Sequence, residues 1–357
     1  MKKRVMVGMS GGVDSSVAAL LLKEQGYEVI GVFMNNWHGE GECTAETDYT
    51  DVRRVCQKLD IPYYTVDLSR DYYDRVFTHF LEEYKKGRTP NPDVLCNREI
   101  KFGPFAEYAK KLDCAFYATG HYCGVEHIGE KTYLLRAKDE NKCQTYFLNQ
   151  VTMQQLEKAI FPLANLLKSE VRAIAEKNGL VTANKKDSTG ICFIGERNFK
   201  NFLSTYLPMQ KGEIKTLDGR TVGEHDGVFF YTLGQRKGFG LGGLKGENNE
   251  NPWFIVKKDV INNVLYVNQG ECRELFSSAL ITEKFNFITD KIFEPKKVLA
   301  RLRHRQKVFE STVYPLNDGT VRVEFDAPQR AVTEGQYCVL YDGNICLGGG
   351  VIDKAIP

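Results

Sequence analysis

Short apolar runs alternate with longer amphipathic stretches through the first half of the chain. Val5 to Val7 reads as a buried parallel strand, and Glu28 to Met34, Ile61 to Leu68 and Ala115 to Thr119 read as further strands. Val17 to Leu22, Thr47 to Leu59, Tyr72 to Lys86 and Phe105 to Leu112 read as the helices between them, with Gly26 and Gly87 as stops. Strands alternating with helices predict an α/β fold on a doubly wound parallel sheet. Ligands of such a sheet sit beyond the carboxyl ends of its strands, where Gly8, Met34 and Gly120 fall. Met34 and Gly120 either flank a bound nucleoside or are packing residues. Tyr122 to Ala137 reads as a hairpin turning at Ile128-Gly129, and Ser169 to Asn178 as a helix closed by Gly179.

The pattern changes near Asn198. One helix, Phe199 to Leu207, precedes short strands with turns at Lys211-Gly212, Asp218-Gly219 and Gly238 to Gly246. Tyr231 to Lys237 places the basic pair Arg236-Lys237 on a turn. From Ser278 onward the pattern is all strand, with hairpin signals at Asn317-Asp318-Gly319 and Asp342-Gly343. The expectation is three units: a catalytic α/β domain over 1–197, a small central domain over 198–277 and an antiparallel β-barrel over 278–357. Alternation sends Arg301, Arg303 and Arg305 to one strand face, which is either solvated or meets phosphate.

A chain of 357 residues, 42% hydrophobic and 26% charged, accommodates several globular cores. No apolar stretch approaches membrane-spanning length. Lys2-Lys3-Arg4 opens the chain, but Gly8, Gly11, Gly12 and Asp14 break up any leader behind it, so a cytoplasmic location is expected. A net charge of +2 leaves any nucleic-acid surface to local clusters. Ten cysteines without C-x-x-C or zinc spacing read as thiols in a reducing compartment. Cys56, Cys338 and Cys346 fall within element patterns and read as core residues.

Three stretches carry candidate chemistry. Gly8-Met9-Ser10-Gly11-Gly12-Val13-Asp14-Ser15 joins the first strand to the first helix through a turn without bulk. That arrangement aims backbone N–H groups and a helix N-terminus at an anion. No lysine follows the second glycine, so this is not the G-x-x-x-x-G-K-[ST] loop. The S-G-G-x-D-S order resembles the pyrophosphate loop of ATP pyrophosphatases, and ATP binding is expected. The second stretch is Arg88-Thr89-Pro90-Asn91-Pro92-Asp93-Val94-Leu95-Cys96-Asn97, which two prolines stiffen into a loop. Read alone, it serves equally as a connector or as a reactive loop. The third, Asp187 to Gly195, holds Cys192 between glycines and by itself reads as structural.

Taken together, these motifs with A-T-G-H-Y, S-T-G-I-C-F-I-G-E-R, Y-T-L-G-Q-R and P-Q-R-A-V-T-E-G-Q resemble the bacterial tRNA-specific 2-thiouridylases, in the PP-loop superfamily, from end to end. The resemblance implies an adenine nucleotide alpha hydrolase-like domain and conversion of a wobble uridine to 2-thiouridine in tRNAs for Lys, Glu and Gln. It implies that ATP, with Mg2+, adenylates the uracil C2 oxygen. Cys192 would carry sulfur as a persulfide and Cys96 would resolve it as nucleophile, leaving a transient Cys96–Cys192 disulfide. Both thiols are expected to have depressed pKa values. Asp93 would act as acid or base, with Asn91 and Pro92 shaping the pocket for a flipped base. The tRNA contacts implied are His121, Lys142, Cys143, Gln144, Arg303, His304 and Gln336. The pattern departs at Cys143, where a polar residue is usual, and at His304, where tyrosine is usual. His121 also reads simply as a strand-end histidine. A cysteine desulfurase or a sulfur-relay protein would supply sulfur. No resident metal site is expected; Asp14 is the one protein group suggested for magnesium. The alternatives are another adenylating PP-loop ligase and a non-catalytic, ATP-switched RNA-binding protein.

Overall fold

The first half of the chain contributes strands β1 (Arg4–Met9), β2 (Glu28–Asn35), β3 (Tyr63–Asp67) and β4 (Phe116–Ala118), a hairpin of β5 (Cys123–Ile128) and β6 (Lys131–Arg136), and β7 (Ala159–Ile160). These coordinates belong to a computed structural model that describes residues 2–38, 45–187, 199–241 and 251–357. Five strands make one parallel sheet in the order β3-β2-β1-β4-β7. The strand order reverses between β1 and β4, so the switch-point crevice opens beside Gly8 and Gly120.

Alternation along β1 explains why both faces are covered. Val5, Val7 and Met9 join one core with Val17, Val52 and Val171. Met6 joins the other with Tyr72, Phe77, Phe105 and Cys96. Helices α1 (Val13–Glu24), α2 (Ala45–Leu59) and α5 (Lys168–Lys177) therefore cover the first face. A helical run over 69–85, α3 (Pro92–Cys96) and α4 (Pro104–Lys111) cover the second. The second core continues without a break into the later domains through Ile214, Ile255 and Tyr337.

The central domain is a four-stranded sheet of β8 (Gly212–Thr216), β9 (Thr221–His225), β10 (Trp253–Asp259) and β11 (Val264–Gln269), in the order β10-β11-β8-β9. The last domain comprises β12 (Phe276–Thr282), β13 (Asn286–Phe287), β14 (Lys296–Arg301), β15 (Phe309–Pro315), β16 (Val321–Arg330), β17 (Tyr337–Asp342) and β18 (Ile345–Ile356). Six of these run β12-β16-β15-β14-β17-β18, and β12 pairs with β18 to close an antiparallel barrel. Leu280, Val298, Val313, Val323 and Leu340 fill it.

Two expectations are corrected, and the expected hairpin is found joined to a second sheet. The stretch after Pro90 is not a loop: Pro92 occupies the first helical position, where its missing N–H costs nothing, and α3 follows. The β5–β6 hairpin belongs to the barrel sheet, since Leu135 and Leu134 pair with Ile345 and Cys346. Arg301, Arg303 and Arg305 do not share a strand face. β14 ends at Arg301, which is buried at 3% exposure over the Tyr341 ring, and Arg305 turns the chain with φ at 69°. The glycine-rich turn expected through Gly246 lies partly outside the described residues.

Candidate functional site

The nucleotide loop is built by β1, the turn Ser10 to Gly12 and the first turn of α1. Gly12 is the N-cap and has no side chain to occupy the helix end, so the first-turn N–H groups remain available to an anion. Hydroxyls knit the turn: Ser15 Oγ accepts from Ser10 N at 3.1 Å and donates to Gly12 O at 3.2 Å, and Ser16 Oγ donates to the same carbonyl at 2.8 Å. Glycine is required at two places. Gly11 has φ at 73°, and a Cβ there would lie 2.6 Å from the Asp48 carbonyl. A Cβ on Gly120, after β4, would lie 2.8 Å from the Asp14 carbonyl carbon and Ser15 N. The end of β4 thus approaches the first turn of α1 backbone to backbone, which brings Gly120 beside the Gly8 to Ser15 loop. Met34, half-buried near the end of β2, lines the same edge of the sheet.

Asp14 faces a cation. Both of its carboxylate oxygens accept from Lys168 Nζ at 2.7 Å, and Oδ1 also accepts from Tyr122 Oη at 2.8 Å. The suggestion of Asp14 as a magnesium ligand therefore does not fit, because the ammonium holds the oxygens a metal would need. Among the described residues, no group of three or more His, Cys, Asp or Glu side chains is placed to hold a metal ion.

A second cluster surrounds α3. Asp93 lies in its first turn, and burial raises its carboxyl pKa while Lys101 pulls it down. Cys96 is the last residue of α3 and is 1% exposed, packed in the core that joins the domains. The helical run continues past it through Lys101, so it stands inside the run and not at the N-terminus, where the helix field favours a thiolate. Asn97 donates to Asp93 O at 2.9 Å and to Phe147 O at 3.3 Å, which ties α3 to the segment around residue 145. His121 is buried between the Phe102 and Phe161 rings, with Nδ1 2.7 Å from Thr119 Oγ1. Burial, helped by Lys101, drives its pKa well down, so it is a neutral imidazole. Asp93 and His121 share the influence of Lys101, which neither spacing nor motif revealed. Cys192 lies outside the described residues.

The remaining residues expected at tRNA are spread over the domain junctions. Lys142 Nζ pairs with Asp187 at 2.6 Å. Cys143 is 1% exposed with Sγ 3.2 Å from Thr145 Oγ1, so any outward contact there belongs to the backbone. Gln144 exchanges hydrogen bonds with Tyr122: Tyr122 N donates to Oε1 at 2.9 Å and Gln144 N donates to Tyr122 O at 2.8 Å. Arg303 Nη2 reaches Ala331 O and Thr333 Oγ1 at 2.8 and 3.0 Å. His304 packs tilted against Phe147 at 4.4 Å between centroids. Gln336 Nε2 donates to Thr89 O at 2.7 Å, and its Oε1 accepts from Tyr146 Oη. Asn91 N-caps α3 and Pro92 begins it, so both sit within one turn of Asp93. The exposed Arg236-Lys237 pair stands near this junction, since Arg303 also reaches Leu233 O.

Sequence reasoning missed Lys168 and Arg88. A search for the cation that the glycine loop lacks would have turned to the first residues of other helices, where Lys168 stands.

A glycine loop at the switch point of a parallel sheet, continued into two β domains through one core, defines a multidomain α/β protein with an anion-binding centre. Residues 3–196 match the family model described as tRNA methyl transferase HUP domain, 200–269 the tRNA methyl transferase PRC-barrel domain and 277–352 the aminomethyltransferase beta-barrel domain. The chain is 55% identical to a tRNA-specific 2-thiouridylase MnmA 1 of Geobacillus kaustophilus, over 99% of this chain and 96% of that one. It is 57% identical to the MnmA of Listeria welshimeri, over 98% and 94% of the two chains. To the MnmA of Halalkalibacterium halodurans it is 56% identical, over 99% and 95%. The chain belongs to the tRNA-specific 2-thiouridylase family.

Proposed function

We propose that this chain uses ATP, with magnesium as its counter-ion, to replace the C2 oxygen of a tRNA wobble uridine by sulfur. The observation that carries this reading is the 55–57% identity to proteins named tRNA-specific 2-thiouridylase over 98–99% of the chain. The site chemistry supports it. A uracil carbonyl is a poor electrophile, so attack of its oxygen on the α-phosphorus of ATP first creates an AMP leaving group and releases pyrophosphate. The Ser10–Ser15 loop and the α1 N-terminus suit the phosphates. A carboxyl raised by burial is a stronger base than an exposed one, which suits Asp93 to taking a proton from the uracil ring. The terminal sulfur of a Cys192 persulfide then attacks C2, and AMP departs. Cys96 attacks the Cys192 sulfur, which frees the thiocarbonyl and leaves a disulfide for an external dithiol to reduce. His121, Lys142, Cys143, Gln144, Arg303, His304 and Gln336 would meet the tRNA, Cys143 through its backbone. A cysteine desulfurase or relay protein would load Cys192. A cytoplasmic location suits these partners; no helix among the described residues is long and apolar enough to cross a membrane.

The test combines the protein with ATP, magnesium, a persulfide source and unmodified glutamate tRNA, followed by mass spectrometry of the digested RNA. The parent protein is expected to yield 2-thiouridine, and Cys96→Ser and Cys192→Ser to lose it by more than 100-fold. AMP release without thiolated RNA would point to another adenylated acceptor. Product made by both cysteine variants would remove the sulfur-carrier assignment.

A further inference from the structure

We infer that Arg136 and Arg301 form a slot for a backbone phosphate of the bound RNA, at the seam between the barrel and the α/β domain. The inference rests on the tRNA reading above, and neither arginine is among the contacts named there. Strand register brings the two together. Arg301 ends β14 opposite Val339 of β17, so Tyr341, two residues along, stands diagonally across on the same sheet face. On the other side of β17, β18 places Cys346 opposite Tyr341, and β6 follows it. Arg136 ends β6, and its N–H donates to Asn344 O at 2.9 Å in the turn between β17 and β18. Two guanidinium groups thus reach the Tyr341 ring, Arg301 at 5.6 Å from its centroid and Arg136 at 5.9 Å. Tyr341 Oη lies 3.2 Å from Thr145 Oγ1, which lies 3.2 Å from Cys143 Sγ. The arginine pair therefore stands between the Lys142 to Gln144 segment and Arg303-His304.

Positive charge at this seam exceeds negative. Arg301 is 3% exposed, and its Nε is buried without a hydrogen-bond partner. Arg136 Nε is buried and unpartnered as well. Its guanidinium pairs with Glu140 at 3.1 Å, but that glutamate side chain is 76% exposed. His304 Nδ1 is a third buried nitrogen without a partner, with Arg301 and Lys142 close by. A guanidinium withdrawn from water is costly until an anion meets it. Lys142 and Arg303 already bond within the protein, to Asp187 and to Ala331 O and Thr333 Oγ1, whereas these two Nε–H groups do not. Nε–H and the adjoining Nη–H form the side-on fork with which arginine holds two phosphate oxygens. An exposed ion pair contributes little, so Arg136 exchanges Glu140 for phosphate readily. With segments expected to meet RNA on both sides, the RNA backbone is the anion at hand.

The full-length protein is titrated with unmodified glutamate tRNA by fluorescence anisotropy over a series of potassium chloride concentrations, using the parent, Arg301→Met, Arg301→Lys and Arg136→Gln. Arg301→Met keeps an unbranched side chain on the Tyr341 ring and removes the charge. It is expected to weaken RNA binding at least 10-fold in low salt. The slope of log affinity against log salt should become shallower by about 1, as one phosphate contact is lost. Its melting temperature is expected to stay at or above that of the parent, because a buried charge without an acceptor is gone. Arg301→Lys should restore the slope, and Arg136→Gln should make it shallower as Arg301→Met does. Slopes unchanged in Arg301→Met and Arg136→Gln would overturn the slot, and a lower melting temperature beside them would make Arg301 a packing residue. If Arg301→Met fails to fold, Arg136→Gln decides by the same slope. Calorimetric titration with inorganic phosphate separates the sources: phosphate binding that depends on Arg301, with the RNA slope unchanged, overturns the RNA assignment. A parent that binds the tRNA but forms no 2-thiouridine defeats the thiolation reading alone, and the slope still decides the slot. A parent that binds no tRNA overturns both.

Discussion

His304 shows how a side chain can be shaped by its neighbours into a pH-dependent element of stability. Its ring lies against Phe147, its Nδ1 is buried without a partner, and burial with Arg305, Arg301 and Lys142 nearby pushes its pKa down to about 4. The unfolded chain binds this proton near the ordinary value of about 6.5. Between those two values the unfolded state holds more protons, so this residue removes stability as pH falls from about 6.5 and adds no further loss below about 4. Replacement by tyrosine keeps a ring on Phe147 and removes the titration. The melting temperature of His304→Tyr should therefore fall less than that of the parent between pH 7 and pH 4.5, by about 2 °C or more. Differential scanning calorimetry at several pH values checks this, and parallel curves would refute it. Asp93 is shifted the opposite way by the same burial, since desolvation disfavours whichever form is charged.

At the scale of elements, the apolar runs were enough to place β1 to β4 and the helices between them, because β1, β2 and β4 are buried on both faces and the edge strand β3 is bracketed by buried Ile61 and Leu68. The glycine loop was legible for a related reason: only glycine tolerates φ of 73° at Gly11 beside Asp48. What the pattern could not reveal were pairings distant in sequence. The β5–β6 hairpin joins strand β18, and Lys168 meets Asp14, through contacts that no local period encodes. The helix at Pro92–Cys96 was hidden because its prolines read equally as loop or as helix start. Gly120 permits a direct test of the approach between the end of β4 and the first turn of α1. Alanine there must move the backbone of Asp14 or Ser15, and overpacking of this kind costs about 1–3 kcal/mol. Gly120→Ala should lower the melting temperature and weaken ATP binding at least 10-fold. Gly124→Ala, whose new Cβ would sit an ordinary 3.5 Å from Ala164, should change neither by a measurable amount. Calorimetric titration of both variants with ATP distinguishes them; equal affinities would remove the close approach as the reason for glycine.

Across the whole molecule, one short segment joins all three domains and leads directly into α3. Gly87 packs against Val260 of the central domain, and Thr89 Oγ1 lies 3.3 Å from Thr232 Oγ1. Thr89 N donates to Glu334 O of the barrel at 3.0 Å, and Gln336 Nε2 returns a bond to Thr89 O. Arg88 carries the electrostatic part: its guanidinium pairs with Glu83 of its own domain and with Glu283 and Asp353 of the barrel. Glu83 has a side chain only 4% exposed, so loss of Arg88 leaves it to Lys86 alone and leaves two barrel carboxylates facing it. Breaking a buried pair by removing one partner costs about 3–5 kcal/mol at its strongest, and the half-exposed Glu283 and Asp353 place this case toward the lower end. The cost falls between the barrel and the helix that carries Asp93 and Cys96, which the proposed reaction requires to act together. The glycine loop bonds instead through Gly12, Ser15 and Thr182, none of which touches this junction. Arg88→Ala should therefore reduce thiolation at saturating ATP more than 10-fold and lower the melting temperature by several degrees, while ATP affinity stays within 2-fold. Paired measurements of ATP affinity and 2-thiouridine formation on the same preparation decide the matter. Parallel losses in both would mean that Arg88 supports the fold as a whole and does not couple the barrel to the helix that carries the cysteine.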